Sequence, residues 1–277
     1  MDIFSNLQVI GECLLDKKRV SVFNKAIKET IKPGDIVLDV GTGSGILSLL
    51  AVRAGAKKVY AVEIADDVAG FARLNIKSNN LSDRIEVISA DIKDFNFPHG
   101  IDAVTAELLD TCLVAEQQAH ALNSLRKRGI INPNTKLIPY RFDCAVELVE
   151  YDFNFYGFNM PFVIQARNFG VNEKIVRKLS SLVIFKQVDF NNFIKTDVSE
   201  KILIKVEHDG LLNAIRLKSK TYLSPKVNIW STSDMNMPVI IPLDLLKVKK
   251  GEQVVLEIIY TMGEGFEQFL ARATEVA

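Results

Sequence analysis

The chain has 277 residues, 48% apolar and 25% charged, which describes an ordinary globular protein of one large or two small domains with material for a sizeable core. Lys plus Arg and Asp plus Glu both number 34, so the molecule as a whole has no electrostatic pull on nucleic acid or on an anionic membrane. Three scattered cysteines, Cys13, Cys112 and Cys144, exclude a disulfide framework and a C-x-x-C metal site, and point to a reducing cytoplasm.

From about residue 6 to 30 the pattern is helical, with Leu7, Ile10, Leu14, Phe23 and Ile27 recurring at three- and four-residue steps. Met1 to Asn6 carries no basic segment leading into an apolar run, and no stretch of ~18 uncharged apolar residues follows, so neither export nor a membrane span is expected. Lys32-Pro33-Gly34-Asp35 breaks the helix. Strands and helices then alternate: strand 36–40, helix 45–54, strand 58–63, helix 66–78, strand 84–89 and a fourth strand over 101–105. Such alternation predicts right-handed crossovers and a parallel, doubly wound α/β sheet covered by helices on both faces. Past Pro133 and Pro139, segments such as 201–207, 226–230 and 253–260 alternate or run β-branched between Asp-Gly, Ser-Pro and Lys-Gly turns, which predicts antiparallel β-structure. Three parts are expected: a helical lid over 1–30, a ligand-binding α/β domain over 31–138 and a β-domain over 139–277.

The most specific pattern is Ile36-Val37-Leu38-Asp39-Val40-Gly41-Thr42-Gly43-Ser44-Gly45, a buried strand running into three alternate glycines, with Glu63 closing the next strand. A strand, a tight turn and a helix N-terminus bring bare backbone up to a ligand, and a carboxylate on the neighbouring strand end can take both hydroxyls of a ribose. Dinucleotide sites usually read G-x-G-x-x-G beside a pyrophosphate; here Ile46 stands in the third glycine's place. A nucleoside cofactor without phosphate is favoured, and the segment resembles motif I of the class I S-adenosylmethionine-dependent methyltransferases. That resemblance implies cofactor contacts from Asp39, Gly41, Thr42, Gly43, Gly45, Glu63 and Ile64.

Ligands of a doubly wound sheet lie beyond the carboxyl ends of its strands. After the third strand, Asp91 is placed to accept from an adenine amino group with Ile92 against the ring, and is equally placed to cap a helix. After the fourth comes Glu107, with Glu116 nine residues later. Two converging carboxylates suit a planar cation with several donors, such as guanidinium, and two solvated glutamates would read the same way. No metal is implied: His99, His120 and His208 lack ligand spacing.

Taken together, these segments resemble the protein arginine methyltransferase family over nearly the whole chain. Leu14-Leu15-Asp16-Lys17-Lys18-Arg19 resembles the helix whose arginine holds the cofactor's methionine carboxylate, which gives Arg19 that role. Glu107 and Glu116 reproduce the spacing of the family's double-E loop, implying that both carboxylates orient the acceptor and that Glu107 also borders the cofactor. The wording Glu107-Leu108-Leu109-Asp110-Thr111 resembles the monomethylating, type III branch. The β-rich half corresponds to the barrel-like substrate domain, and 151–170 falls where a dimerisation arm sits, so a homodimer is expected. The family's Tyr-Phe-x-x-Tyr helix is not found ahead of Arg19, where Met1-Asp2-Ile3-Phe4 stands, and its Thr-His-Trp loop is replaced by Asn236-Met237-Pro238-Val239-Ile240. A protein or peptide acceptor is the first expectation; a small molecule, RNA or another side chain, and a cofactor-binding partner without turnover, are the alternatives. Zero net charge and the lack of an Asn-Pro-Pro-Tyr-type tetrapeptide after the fourth strand disfavour nucleic acid.

Overall fold

The computed structural model describes residues 6–95, 97, 100–165, 176–232 and 235–275. Met1 to Phe4, His99 and the 166–170 end of the expected arm lie outside the described residues. The N-terminal helical region is two helices, α1 (Leu7–Leu15) and α2 (Lys17–Thr30), where the periodicity predicts one. Asp16 divides them: its carboxylate accepts the Arg19 N–H at 2.9 Å as the N-cap of α2, so the chain leaves helical geometry there. The apolar face also turns across the break: Leu14 and Phe23 lie nine residues apart, about two and a half helical turns, so the two sets are roughly half a turn out of phase.

The first sheet is parallel, in the order β3-β2-β1-β4-β5, with β1 Ile36–Val40, β2 Lys58–Glu63, β3 Ile85–Ser89, β4 Ala103–Ala106 and β5 Lys136–Ile138. Helices α3 (Ile46–Ala54), α4 (Asp66–Ser78) and α5 (Gln118–Lys127) make the crossovers. β1 and β4 are buried along almost their whole length, as strands covered on both faces must be, which explains their continuous apolar runs. The strand order reverses between β1 and β4, and this is where a doubly wound sheet opens a crevice. α3 ends at Gly55, whose φ of 116° strains any other residue and whose fit against Pro33 is tight, a Cβ there lying 3.2 Å from the Pro33 backbone.

The second half is antiparallel. β6 (Arg141–Tyr151) leads to a small hairpin, β7 (Asn154–Phe155) with β8 (Phe158–Asn159), then β9 (Val176–Lys178), β10 (Val183–Asp189), β11 (Asp197–Lys205), β12 (Gly210–Ser224), β13 (Val227–Trp230), β14 (Val239–Val248), β15 (Gln253–Thr261) and β16 (Leu270–Glu275). β12 is the spine, pairing with β6, β13 and β14, while β11, β15 and β16 form a separate sheet. The architecture is a Rossmann-like sheet followed by a barrel-like β-domain.

One apolar core runs through both halves, from Phe23 of α2 and Leu38 of β1 to Phe142 of β6, Leu217 of β12 and Leu256 of β15. Phe23 is fully buried, and its truncation to Ala would cost about 3–5 kcal/mol. Among the described residues no helix is long and apolar enough to cross a membrane, and no cluster of His, Cys, Asp or Glu side chains is gathered as metal ligands.

Candidate active site

At the switch point β1 runs into Gly41, Gly43 and Gly45, which adopt φ of 67°, 53° and 83°, conformations that carry little steric cost only for glycine. The turn is tied to β2: the Gly41 and Thr42 N–H groups both donate to the Val62 carbonyl, at 2.9 and 3.0 Å. Gly41, Thr42, Gly43 and Ser44 form one wall of a cavity whose other walls are Glu63 and Ile64 after β2, Asp91 and Ile92 after β3, and Glu107 and Leu108 after β4. Arg19 and Glu116 reach the same cavity, and Val9, Ile10 and Cys13 of α1 cover it. The strand ends named from the sequence therefore meet in one place.

Glu63 is almost fully buried, and its carboxylate accepts the Gly43 N–H at 3.0 Å and the Ala65 N–H at 3.2 Å. Burial raises its pKa, against the pull of these backbone donors. Asp39 sits elsewhere: it is fully buried beneath the loop, and Thr42, Ser48 and Thr105 donate their hydroxyls to it at 2.6–2.7 Å. Its carboxylate therefore braces the turn from below and does not face the cavity. Gly45 caps α3 against Ile76 and Ala72, also off the cavity wall. Asp91 accepts the Lys93 N–H at 2.9 Å and pairs with the Lys93 ammonium at 3.3 Å.

Arg19 is buried, and its guanidinium donates to Glu107 and, at 3.1 Å, to the Cys13 carbonyl. Burial by itself would lower the Arg19 pKa; the charge and hydrogen bond of Glu107, with smaller contributions from Cys13 and Asp16, together outweigh it, so the guanidinium is held firmly protonated. Its Nε is buried without a hydrogen-bond partner. A buried, permanently charged guanidinium bordering a cavity is chemically suited to receive a carboxylate.

Three polar residues that sequence reasoning did not single out hold the glutamate-bearing loop. Gln118 is fully buried and bridges the flanks of Glu107, between the Leu108 N–H and the Ala106 carbonyl. Asp110 is buried and accepts the N–H groups of Ala115 and Glu116, at 2.9 and 3.2 Å. Burial pushes its pKa up to about 7 in spite of those bonds. Asn236 stands against the same loop: with its amide oriented to satisfy both ends, it donates to the Leu109 and Asp110 carbonyls at 2.9 and 3.2 Å and accepts from the Thr221 hydroxyl at 3.1 Å. Nearby, Thr232 donates to the free oxygen of the Asp16 cap at 2.8 Å, tying the β-domain to the helix that carries Arg19. The side-chain types gave no signal of this: Asn236 and Thr232 act across more than a hundred residues, and Asp110 and Gln118 act on backbone groups that only the fold of the loop brings to them.

The loop is also sewn to the β-domain through its backbone. The Cys112 N–H donates to Ser219 at 2.8 Å, Tyr260 donates to the Cys112 carbonyl at 2.8 Å, and the Gly263 and Gly265 N–H groups donate to Leu113 and Val114, at 3.1 and 2.9 Å. Cys112 and Leu113 both take φ of 58°, which places two non-glycine residues in the left-handed region.

Residues 21–132 match the family model described as ribosomal protein L11 methyltransferase (PrmA). The chain is 35% identical over 254 residues to the uncharacterized protein MJ1452 of Methanocaldococcus jannaschii, covering 92% of each. It is 32% identical over 222 residues to protein arginine N-methyltransferase 1 of Caenorhabditis elegans, covering 74% of this chain and 61% of that one, so it spans less than two thirds of that named relative. Among solved structures, the Trypanosoma brucei PRMT1 enzyme-prozyme heterotetrameric complex with AdoHcy superposes with a TM-score of 0.79 over 99% of both chains, at 18% identity. Arabidopsis thaliana protein arginine methyltransferase 10 gives 0.79 at 20% identity, over 92% of this chain and 88% of that one. At such identities the two structures speak for the fold. The glycine turn, the buried Glu63 and the buried guanidinium of Arg19 fit S-adenosylmethionine; the chain is an S-adenosylmethionine-dependent methyltransferase that shares a family with MJ1452 and is similar to the protein arginine N-methyltransferases.

Proposed function

We propose that the methyl acceptor is the guanidinium of an arginine in a protein or peptide. The observation that carries this reading is the meeting of Glu107 and Glu116 at the cofactor cavity, where Glu107 already receives one guanidinium, that of Arg19. When bound, the cofactor supplies an electrophilic methyl group on a sulfonium. Arg19 would take its carboxylate, Gly41 to Gly43 its closest backbone approach, Glu63 the ribose hydroxyls, and Asp91, Ile92 and Ile64 the base. Asp39 and Gly45 support that wall from behind.

Glu107 and Glu116 orient the acceptor and draw its positive charge toward the far nitrogens, leaving electron density on the nitrogen that faces the methyl. Alignment within van der Waals reach supplies much of the remaining acceleration, and α1 excludes water from above. The local wording of 107–111 supports monomethylation. The hairpin β7–β8 exposes Tyr156 and Phe158, followed by Met160 and Phe162, and this apolar arm supports a homodimer. Three free thiols support a cytoplasmic location.

The test is to incubate the protein with labelled cofactor and host-cell lysate, then hydrolyse whatever becomes labelled. Monomethylarginine is expected. Label confined to RNA, a small molecule or another side chain would favour the second reading, motivated by Asn236 standing in the region of the family's histidine-bearing loop.

A further inference from the structure

α5 presents two working faces. Gln117 at its N-cap and Ala121 look into the cofactor cavity, whereas His120, Ser124 and Lys127 line a second cleft, closed on its far side by residues 193–197. Lys93 borders both. The second cleft is cationic: Lys93, Lys127, Arg128 and Lys195 meet a single acid, Asp197, in a chain whose formal charge is zero.

These charges are largely unspent. Arg128 donates to the backbone carbonyls of Ser124, Phe95 and Ile92, which fix the guanidinium and leave its charge uncancelled. Lys127 lies 5.6 Å from the ring of the exposed Phe193, and among the described residues neither it nor Lys195 has an ion-pair partner. Asp197 is engaged with the Thr261 hydroxyl at 3.0 Å, and Lys93 with Asp91. Clustered like charges beside an apolar ring raise the local potential and attract anionic chains.

Ser124 and Lys127 lie six and nine residues past Gln118, the first residue of α5, roughly 9–14 Å along the helix at about 1.5 Å per residue, and Glu116 stands two residues further back, adding about 5 Å. About four or five residues of extended polypeptide cover that distance. We propose that the cleft is a substrate-selection site that takes an Asp- or Glu-rich segment of the polypeptide, about four or five residues from the side chain held between Glu107 and Glu116. This rests on the reading of the acceptor as a protein arginine.

The experiment compares arginine peptides with neutral flanks against peptides carrying three glutamates four or five residues to either side of the arginine. Wild type and the double variant Lys127→Glu/Lys195→Glu are both used, with circular dichroism confirming the fold. Roughly tenfold higher kcat/KM for an acidic peptide is expected, carried in KM, weakened by salt and abolished in the variant, with the neutral peptide unaffected. Equal rates for acidic and neutral peptides, or a preference that survives in the variant, would overturn the proposal. If neither peptide is methylated, the arginine reading fails on its own, and fluorescence anisotropy of the labelled acidic peptide still decides the cleft: binding lost in the variant upholds it, and no binding to wild type overturns it. Binding of a single-stranded RNA that the variant abolishes, with no binding of the acidic peptide, would assign the cleft to nucleic acid and also overturn it.

Discussion

Gln118 grips both sides of Glu107: its side-chain carbonyl accepts the Leu108 N–H and its amide donates to the Ala106 carbonyl, each at 3.0 Å. Replacing Gln118 with Met keeps the volume and leaves two buried backbone groups unpaired, at about 1–3 kcal/mol each. The variant is expected to melt several degrees lower and to lose kcat while its cofactor affinity changes little. Unfolding curves and calorimetry with S-adenosylmethionine separate the two effects.

Glu107→Gln removes the charge opposite Arg19 and the charge that would face the acceptor. Methyl transfer is expected to fall by about 2–4 kcal/mol of transition-state stabilisation, or roughly 30- to 1,000-fold. Cofactor binding should persist or tighten, because Arg19 is then left with a guanidinium to satisfy. Parallel titration calorimetry and single-turnover assays check both halves of this expectation.

Glu63→Ala should act in the opposite sense. It strips the Gly43 and Ala65 N–H groups of their acceptor and removes the carboxylate from the cavity. Charge-assisted bonds of this kind are worth about 1.5–3 kcal/mol, so the dissociation constant for the cofactor is expected to rise at least tenfold. Cofactor affinity equal to wild type would remove the ribose from this position.

Asp110 gives the loop a pH dependence. Its folded-state pKa of about 7 lies above the ordinary 3.8, so the protonated form favours the fold. The contribution is complete below pH 3.8 and is lost as pH rises through 7. Wild type should therefore show a decline in melting temperature across this window that Asp110→Asn flattens. Melting temperatures of the two proteins between pH 5 and 8 provide the check.

The sequence was most legible where chemistry is local. The glycines must lie at a strand end because only there do three positive-φ residues serve a turn, and Glu63, Glu107 and Asp91 follow from strand ends of one parallel sheet. Asp39 shows the limit: its neighbour in sequence is the binding loop, but its side chain points down to Ser48 and Thr105, a direction set by the pleat and by α3. Asp110, Gln118 and Asn236 were illegible because each acts on backbone atoms that only the folded chain brings near. The break at Asp16 leaves a trace in the half-turn change of apolar phase between Leu14 and Phe23, but its place is fixed only by the cap geometry, since an acidic residue inside a helical pattern reads as an exposed position.

The bonds from Ser219, Tyr260, Gly263 and Gly265 to the 112–114 backbone give this protein an unusual division of labour. The stretch that matches a methyltransferase family model ends at residue 132, while several of the groups that fix the loop between Glu107 and Glu116, the proposed acceptor carboxylates, come from far beyond it. The glycine turn and Glu63, by contrast, take their hydrogen-bond partners from within the first 138 residues. Selection on the acceptor can thus act through distant β-strands without disturbing the nucleoside end of the cleft.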